Sequence, residues 1–367
     1  MTLLVTCARA PVSIEWIRIA QRSNHKVILV DSLDDPIGAF YPQALYKKVP
    51  SPKNNFEAYK QEMLELFTDI DMVIPNCEDI FYLSQIRHSA PSHVSFLMPE
   101  HDMLFTLHHK FDFFSLVNAH VNIPQSKLIT SKNQIVTDQE SILKPVYSRF
   151  GRDIIYGHDT KSIERLTIAK HNPWVQQQFI RGEPLCSYAV CCEGEVVSQV
   201  VYRPKYLLNG AASTYFEYSE DRRCEAFVIQ FAKENNYHGQ VAFDFIDDGE
   251  ELYVIECNPR ATSGLHLISE GIKIQDNGTI VSDKLPIKKS YRIGVVLYLF
   301  FGVKALLKGK ALTLYKEFKR ADDALRGLPF YAQFFSLYEM IKRAIRYKKA
   351  LTTASTFDIE YNGEKAR

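Results

Sequence analysis

YVIECNPRATSGLHLI, residues 253–268, opens as an apolar run and then changes character. Tyr253 to Ile255 reads as a strand, yet Glu256, Asn258 and Arg260 follow at two-residue spacing. Successive side chains of a strand point to opposite faces, so these three share one face. An acid, an amide and a base are thereby aimed at one spot from a buried strand, an arrangement that asks for a chemical reason.

The preceding strand, GQVAFDFI (239–246), carries Asp244 among apolar residues. If the two strands pair through a short turn at Asp248 to Glu250, Asp244 and Glu256 sit side by side on one face. Two carboxylates and an amide oxygen are hard ligands that suit Mg²⁺, an ion usually shared with substrate phosphates. Arg260 at the same edge is placed to stabilise charge on a transferring phosphoryl group or an acyl phosphate. Taken singly, each acid more often lies on a solvated face or flanks a lysine. The combination, beside Arg260 and the turn ATSG, points to a site.

The chain around this hairpin has 367 residues, enough for two or three domains. Hydrophobic residues make up 46% and charged residues 24%, the balance of an ordinary globular protein. A formal net charge of +1 argues against a general electrostatic grip on nucleic acid. Seven cysteines lack metal-ligand spacing, and the start MTLLVTCARAP lacks a basic leader, so a reducing cytoplasm is expected. The most hydrophobic segment, RIGVVLYLFFGVKALL (292–307), is shorter than the ~20 apolar residues a span needs. It is expected to be a packed helix or a strand–helix join, with peripheral membrane contact the less favoured role.

The first hundred residues alternate strand and helix: LLVTCA, APVSIEWIRIAQRS and KVILVDS, then NFEAYKQEMLELFTD, DMVIPN and EDIFYLSQI. Such alternation predicts a doubly wound parallel sheet, while CARAP after the first strand lacks the GxGxxG dinucleotide fingerprint. HDMLFTLHHKFDFFSLVNAH is expected to be helical. From about residue 101 the pattern changes to a strand-rich α+β one, with a strand around Ser141 to Val146 and a hairpin over 182–204 that turns at Glu193 to Gly194. After about residue 285 the chain reads as mainly helical and basic.

FDFI followed by ECNPRATSG resembles the end of the ATP-grasp domain found in carbamoyl-phosphate synthase, biotin carboxylase and many carboxylate–amine ligases. The resemblance covers roughly residues 1–270. It implies a Rossmann-like N-terminal domain over 1–105 and an ATP-grasp domain over 106–285, its strands mainly antiparallel. A helical extension of unassigned role then covers 286–367. It assigns the metal to Asp244, Glu256 and Asn258, and the transferred phosphoryl group to Arg260. Lys110 in HHKFDFF, at a helix start, corresponds to the first nucleotide lysine, and Lys144 in SILKPV to the second. On its own Lys110 reads as a solvated helix lysine, whereas Lys144 between Leu143 and Pro145 needs a partner if buried.

QQQFIRGE (176–183) resembles the family's hinge, which implies adenine contact through the backbone of Gln178, Phe179 and Ile180. Gln177 would lie near the adenine amino group, and Glu183 near the ribose. Glutamates that commonly stand at Gln177 or Gln178 and at Pro184 are missing. The loop YSRFGRD (147–153) falls at the family's glycine-rich flap but keeps only Gly151. Arg149 and Arg152 either supply charge there or are plain surface arginines.

The resemblance implies ATP and Mg²⁺ (or Mn²⁺) as cofactors and an ATP-dependent carboxylate–amine ligase that passes through an acyl phosphate to ADP and phosphate. A kinase-like enzyme that stops at phosphorylation, and a silent nucleotide-binding module, are the alternatives. Small carboxylate and amine substrates are the expected partners, with no nucleic acid. Candidates to bind substrate are Arg9, Glu78, Arg203 with Lys205 on a basic turn, and the turn Thr262 to His266. His266 reads as structural before catalytic. Asp322, Asp323, Asp358 and Glu360 either line the cleft or, by preference, are surface acids. The helical extension is open to a homodimer contact.

Overall fold

The computed structural model describes residues 1–117, 119–149, 151, 153–208, 212–283, 285 and 287–364, so Arg152 of the flap lies outside the described residues. The expected alternation folds residues 2–96 into a fully parallel sheet. β1 (Thr2–Thr6), β2 (Lys26–Asp31), β3 (Leu45–Lys48), β4 (Met72–Ile74) and β5 (Ser95–Phe96) lie in the order β3-β2-β1-β4-β5. The crossovers hold α1 (Pro11–Arg22), α2 (Phe56–Phe67) and α3 (Ile80–Ile86). Proline at the first position of α1 lacks an N–H that the helix would leave unbonded anyway, and Asn55 caps α2 by accepting the Ala58 N–H. The strand order reverses between β1 and β4, and the loops after those two strands carry Arg9 and Glu78 to the crevice that such a reversal opens.

α4 (His101–His108) is shorter than the helix expected over 101–120. Only a single turn of 3₁₀-helix, Asp112–Leu116, follows it. Lys110 therefore sits in the break between the two and not at a helix start. The reason is its burial: the ammonium is drawn to the Ser148 carbonyl, and the Lys110 N–H bonds the Val146 carbonyl at 3.3 Å.

Two mainly antiparallel sheets follow. The smaller holds β6 (Ser126–Ile129), β7 (Ser141–Pro145), β8 (Ile155–Tyr156) and β9 (Trp174–Gln178) in the order β6-β9-β7-β8, with α5 (Thr160–Arg165) between β8 and β9 in the chain. The larger is built on β10 (Glu183–Cys192), β11 (Glu195–Leu208) and β12 (Ala212–Tyr218), then β13 (Gly239–Asp247) and β14 (Leu252–Asn258) beyond α6 (Arg222–Glu234). Glu193 and Gly194 both take positive φ at the β10–β11 turn, which matches the twist of a two-residue hairpin. α7 (Leu265–Ile268) and a small hairpin of β15 (Ile272–Ile274) and β16 (Ile280–Ser282) come next.

The region expected to be only helical contributes β17 (Ser290–Arg292) and, parallel to it, β18 (Asp322–Asp323) to the larger sheet, completing the order β14-β13-β10-β11-β12-β17-β18. Its helices are α8 (Val296–Leu307), α9 (Ala311–Arg320), α10 (Phe330–Tyr347) and α11 (Leu351–Ala354). α8 follows β17, the expected strand–helix join, but it packs on one side only: Leu297 and Ala305 are buried while Val303 and Leu307 are exposed.

Buried polar contacts weld the first sheet to the larger one. Gln240 of β13 accepts from Trp16 Nε1 (3.1 Å) and the Tyr188 hydroxyl (2.7 Å), and donates to the Pro75 carbonyl (2.8 Å). Glu15 of α1, fully buried, accepts from Ser269 (2.8 Å), pairs with Arg18 and Arg326, and lies 2.8 Å from His266 Nδ1. His266 is thus a packing residue. Burial alone would raise the Glu15 carboxyl, but the His266 bond and the arginine charges outweigh it, lowering it from the ordinary 4.5 to about 2. A depressed acid stabilises the fold above its unfolded value and loses that contribution as pH falls through the folded one. Glu15→Gln is expected to cost roughly 3 kcal/mol at neutral pH and to flatten the loss of stability between about pH 4.5 and 2. Urea denaturation of both proteins across that window checks it.

Candidate active site

β13 and β14 pair so that Asp244 and Glu256 stand directly opposite each other, as the hairpin reading expected. A β-bulge makes this possible. Asp244 pairs with Glu256 but Phe245 pairs with Val254, so Ile255 is an extra residue. Leu252 and Val254 face the core with Phe243 and Phe245, and unbroken alternation would send Glu256 there too. The extra residue shifts the phase: Cys257 enters the core, while Glu256 and Asn258 turn to the other face with Asp244. No residue of YVIEC announces that bulge.

Six side chains converge on this face. Lys110 Nζ donates to Glu256 Oε1 (2.8 Å) and to the Ser148 carbonyl (2.7 Å). Lys144, rising from β7, donates to Gln177 Oε1 (2.9 Å) and to the carbonyl of the bulge residue Ile255 (3.2 Å), tying the smaller sheet to the larger. Asn258 Nδ2 donates to Asp244 Oδ2 at 3.3 Å, and Arg260 donates to Asn258 Oδ1 at 3.0 Å. Gly264 of ATSG lies so close to Tyr188 that an added Cβ would stand 2.4 Å from its Cβ, so only glycine lets this turn pack under the strand.

Charge is divided unevenly among these groups. Burial, and next the neighbouring Glu256, raise the Asp244 carboxyl to about 6. Burial would raise Glu256 as well, but Lys110 and Lys144 outweigh it and hold it low. Burial lowers Lys144 to about 8 against the pull of Glu256. Two facing carboxylates that repel each other suit a divalent cation held by one or two protein oxygens and completed by phosphates. Asp244 and Glu256 fit that donor set, and Asn258 brings an amide oxygen beside them. Among the described residues no group of three His, Cys, Asp or Glu could hold a metal without such help.

The hinge is only partly as expected. Gln177 is buried and turned to Lys144, with its amide donating to Ser126 Oγ (3.0 Å). The Gln178 N–H is taken by the Gln125 carbonyl (2.8 Å) and the Phe179 N–H by the Glu140 carbonyl (2.6 Å). Of the three expected hinge residues, Ile180 alone has an N–H that bonds nothing among the described residues. Glu183 starts β10 opposite Asp247, exposed, and three residues (about 10 Å) from Cys186, the residue facing Asp244.

The structure narrows four readings that the sequence left open or weighted. Arg149 is no surface arginine: it is buried between Glu78 and Glu360 and also donates to Asn362 Oδ1 (2.9 Å). Asp358 and Glu360 are not surface acids, since both are buried. Asp358 pairs with Arg9 at 2.6 Å and with Arg343, while Arg9 also pairs with Asp31 at 2.5 Å. Arg203 and Lys205 lie within β11 and not on a turn, with Lys205 paired to Glu217. Asp322 is an exposed acid as preferred, but Asp323 bonds Arg292 at 2.7 Å. The strip of residues 355–362 thus fills the crevice after β1 and β4 and brings a second carboxylate to Arg9 and to Arg149. Arg260 joins no ion pair among the described residues.

Residues 108–264 match the family model of the ATP-grasp domain. No curated relative matches the sequence. N5-carboxyaminoimidazole synthetase from Staphylococcus aureus complexed with ADP is similar in structure, with a TM-score of 0.62 at 12% identity over 84% of this chain and 86% of that one. L-amino acid ligase from Bacillus licheniformis gives 0.56 at 15% identity over 74% and 70%. The biotin carboxylase domain of Hydrogenobacter thermophilus 2-oxoglutarate carboxylase, in complex with MgADP and bicarbonate, gives 0.58 at 13% identity over 76% and 68%. The family match and the similar structures agree on the fold: residues 108–264 match the ATP-grasp domain, and the chain as a whole has the fold of these ATP-grasp proteins.

Proposed function

We propose that the protein is an ATP-dependent carboxylate–amine ligase. One observation carries this reading: Lys144 and Arg260 face two opposed carboxylates between two sheets while neither cation is held in an ion pair among the described residues. Their charge is free for a new anion, whereas Lys110 already pairs with Glu256 and would reach phosphates only as Mg²⁺ takes that carboxylate. ATP would lie between the smaller and larger sheets, with Lys110 and Lys144 on its phosphates and the 178–180 segment along the adenine. Asp244, Glu256 and Asn258 would hold Mg²⁺, which offsets phosphate charge when bound. Arg260 would steady the phosphoryl group as a substrate carboxylate takes it from ATP, and an amine would then displace phosphate from the acyl phosphate. On this reading residues 1–105 and 106–285 act as the two walls of the cleft. The similar structures, an amino acid ligase among them, support a reaction of this kind.

The test is release of ADP and phosphate from MgATP against amino acids and small carboxylic acids, singly and in pairs. Release that requires an acid and an amine together is expected. Release with an acid or alcohol alone would replace the ligase by a kinase-like reading. Silence in every combination would defeat both.

A further inference from the structure

α10 is built the reverse of an ordinary surface helix. Its buried side carries Ala332, Glu339 and Arg343, whereas Phe330, Phe334, Tyr338, Ile341 and Ile345 point outward. The spacing i, i+4, i+8, i+11, i+15 places these five on one continuous stripe. α8 repeats the arrangement: Leu299, Val303, Leu306 and Leu307 form its outer stripe, with Val303 71% and Leu307 82% exposed. Leu312 and Tyr315 of α9 are exposed as well. The helices adjoin, because the Val295 N–H that opens α8 bonds the Gln333 side chain of α10 at 3.0 Å. Isolated exposed apolar residues need no explanation, but two ordered stripes on adjoining helices mark a contact surface.

Charge selects the partner. Residues 296–350 hold twelve Lys and Arg against four Asp and Glu, in a chain whose formal net charge is only +1. Lys304, Lys308, Lys310, Lys316 and Lys348 are exposed on these helices and the turns that end them. Two copies of so basic a surface repel each other, whereas an anionic bilayer attracts it. Among the described residues no helix is long and apolar enough to cross a membrane. Apolar stripes flanked by lysines instead suit a helix lying in the interface, its apolar side in the acyl boundary and its lysines among headgroups.

We propose that α8, α9 and α10 form a docking face for an anionic lipid surface, which would bring the ATP site to substrates at a membrane. The experiment is sedimentation of the full chain with phosphatidylcholine vesicles, with and without phosphatidylglycerol, alongside its sedimentation-velocity profile in solution. Binding is expected to anionic vesicles only, and to fall as salt rises. Val303→Glu with Leu307→Glu, and independently Tyr338→Glu with Ile345→Glu, should each weaken it at least ~tenfold with the melting temperature retained. These side chains are solvent-exposed, so the variants leave the core intact. Failure of the wild-type chain to bind, equal binding to neutral vesicles, or unaltered binding by both variants would overturn the proposal. A concentration-dependent dimer that the same variants dissolve, without vesicle binding, would overturn it in favour of a second copy of this chain.

Discussion

Arg260→Ala is expected to lower kcat for ADP release by two to three orders of magnitude while the affinity for ATP changes by a few-fold at most. The split follows from what holds the side chain. Arg260 is anchored through a neutral amide, Asn258 Oδ1, at 3.0 Å, so its full positive charge remains available to an anion. A donor aimed at charge that develops only in the transition state contributes to kcat, and losing one such donor costs about 10²–10³-fold. On the proposed reading ground-state phosphates would be met instead by Lys110 and Lys144, which the substitution leaves in place. Arg260→Lys restores charge without the planar fork and should recover only part of the rate. Single-turnover kinetics with calorimetric ATP binding separate the two effects. Equal losses in kcat and ATP affinity would place Arg260 on the ground-state nucleotide and reject the assigned role.

Asp358→Ala should destabilise the fold by about 3–5 kcal/mol, the range for removing one partner of a buried ion pair. The carboxylate is only 2% exposed and serves Arg9, Arg343 and Ser32 together. Its loss strands two buried guanidinium groups, Arg9 keeping Asp31 and Arg343 keeping the Ala354 carbonyl at 3.2 Å. Burial would raise the Asp358 carboxyl, but the charge and hydrogen bond of Arg9, with Arg343, outweigh it and hold it well below the ordinary 3.8. Its contribution is therefore complete above about pH 4 and disappears as acid drives the pH through the depressed value. Asp358→Asn should be destabilised at neutral pH and lack that acid-side slope. A variant within 1 kcal/mol of wild type in urea denaturation would show the tail to be a loose adornment.

The sequence made the chemistry of the site legible because strands report side-chain direction through simple alternation. Asp244 opposite Glu256, and Lys144 buried on its strand, follow from period-two reading of FDFI, YVIECN and SILKP. Their shared face nonetheless depends on Ile255, whose bulge reverses the phase that alternation alone would assign. The doubly wound first sheet was equally readable, since apolar runs and helix caps there are local signals. Arg149, Glu78, Asp358 and Glu360 were not. Each is polar in a polar stretch, and only the return of residues 355–362 to the crevice after β1 and β4 buries them. Local pattern carries no trace of a partner more than two hundred residues away, such as the one Arg149 finds in Glu360. The apolar stripe of α10 misleads in the opposite sense, because helical spacing of aromatic residues ordinarily marks an inward face.

That return has a consequence for biosynthesis. Arg9 and Asp358 stand 349 positions apart. At translation rates of about 5–20 residues per second, roughly 20–70 s separate their appearance. Throughout that interval the parallel sheet can form, yet its crevice holds Arg9 with Asp31 alone, and Arg149 emerges with only Glu78 to meet it. The growing chain thus presents an open crevice in which each arginine has a single carboxylate partner, and closing it is a task for the segment made last among those that touch it.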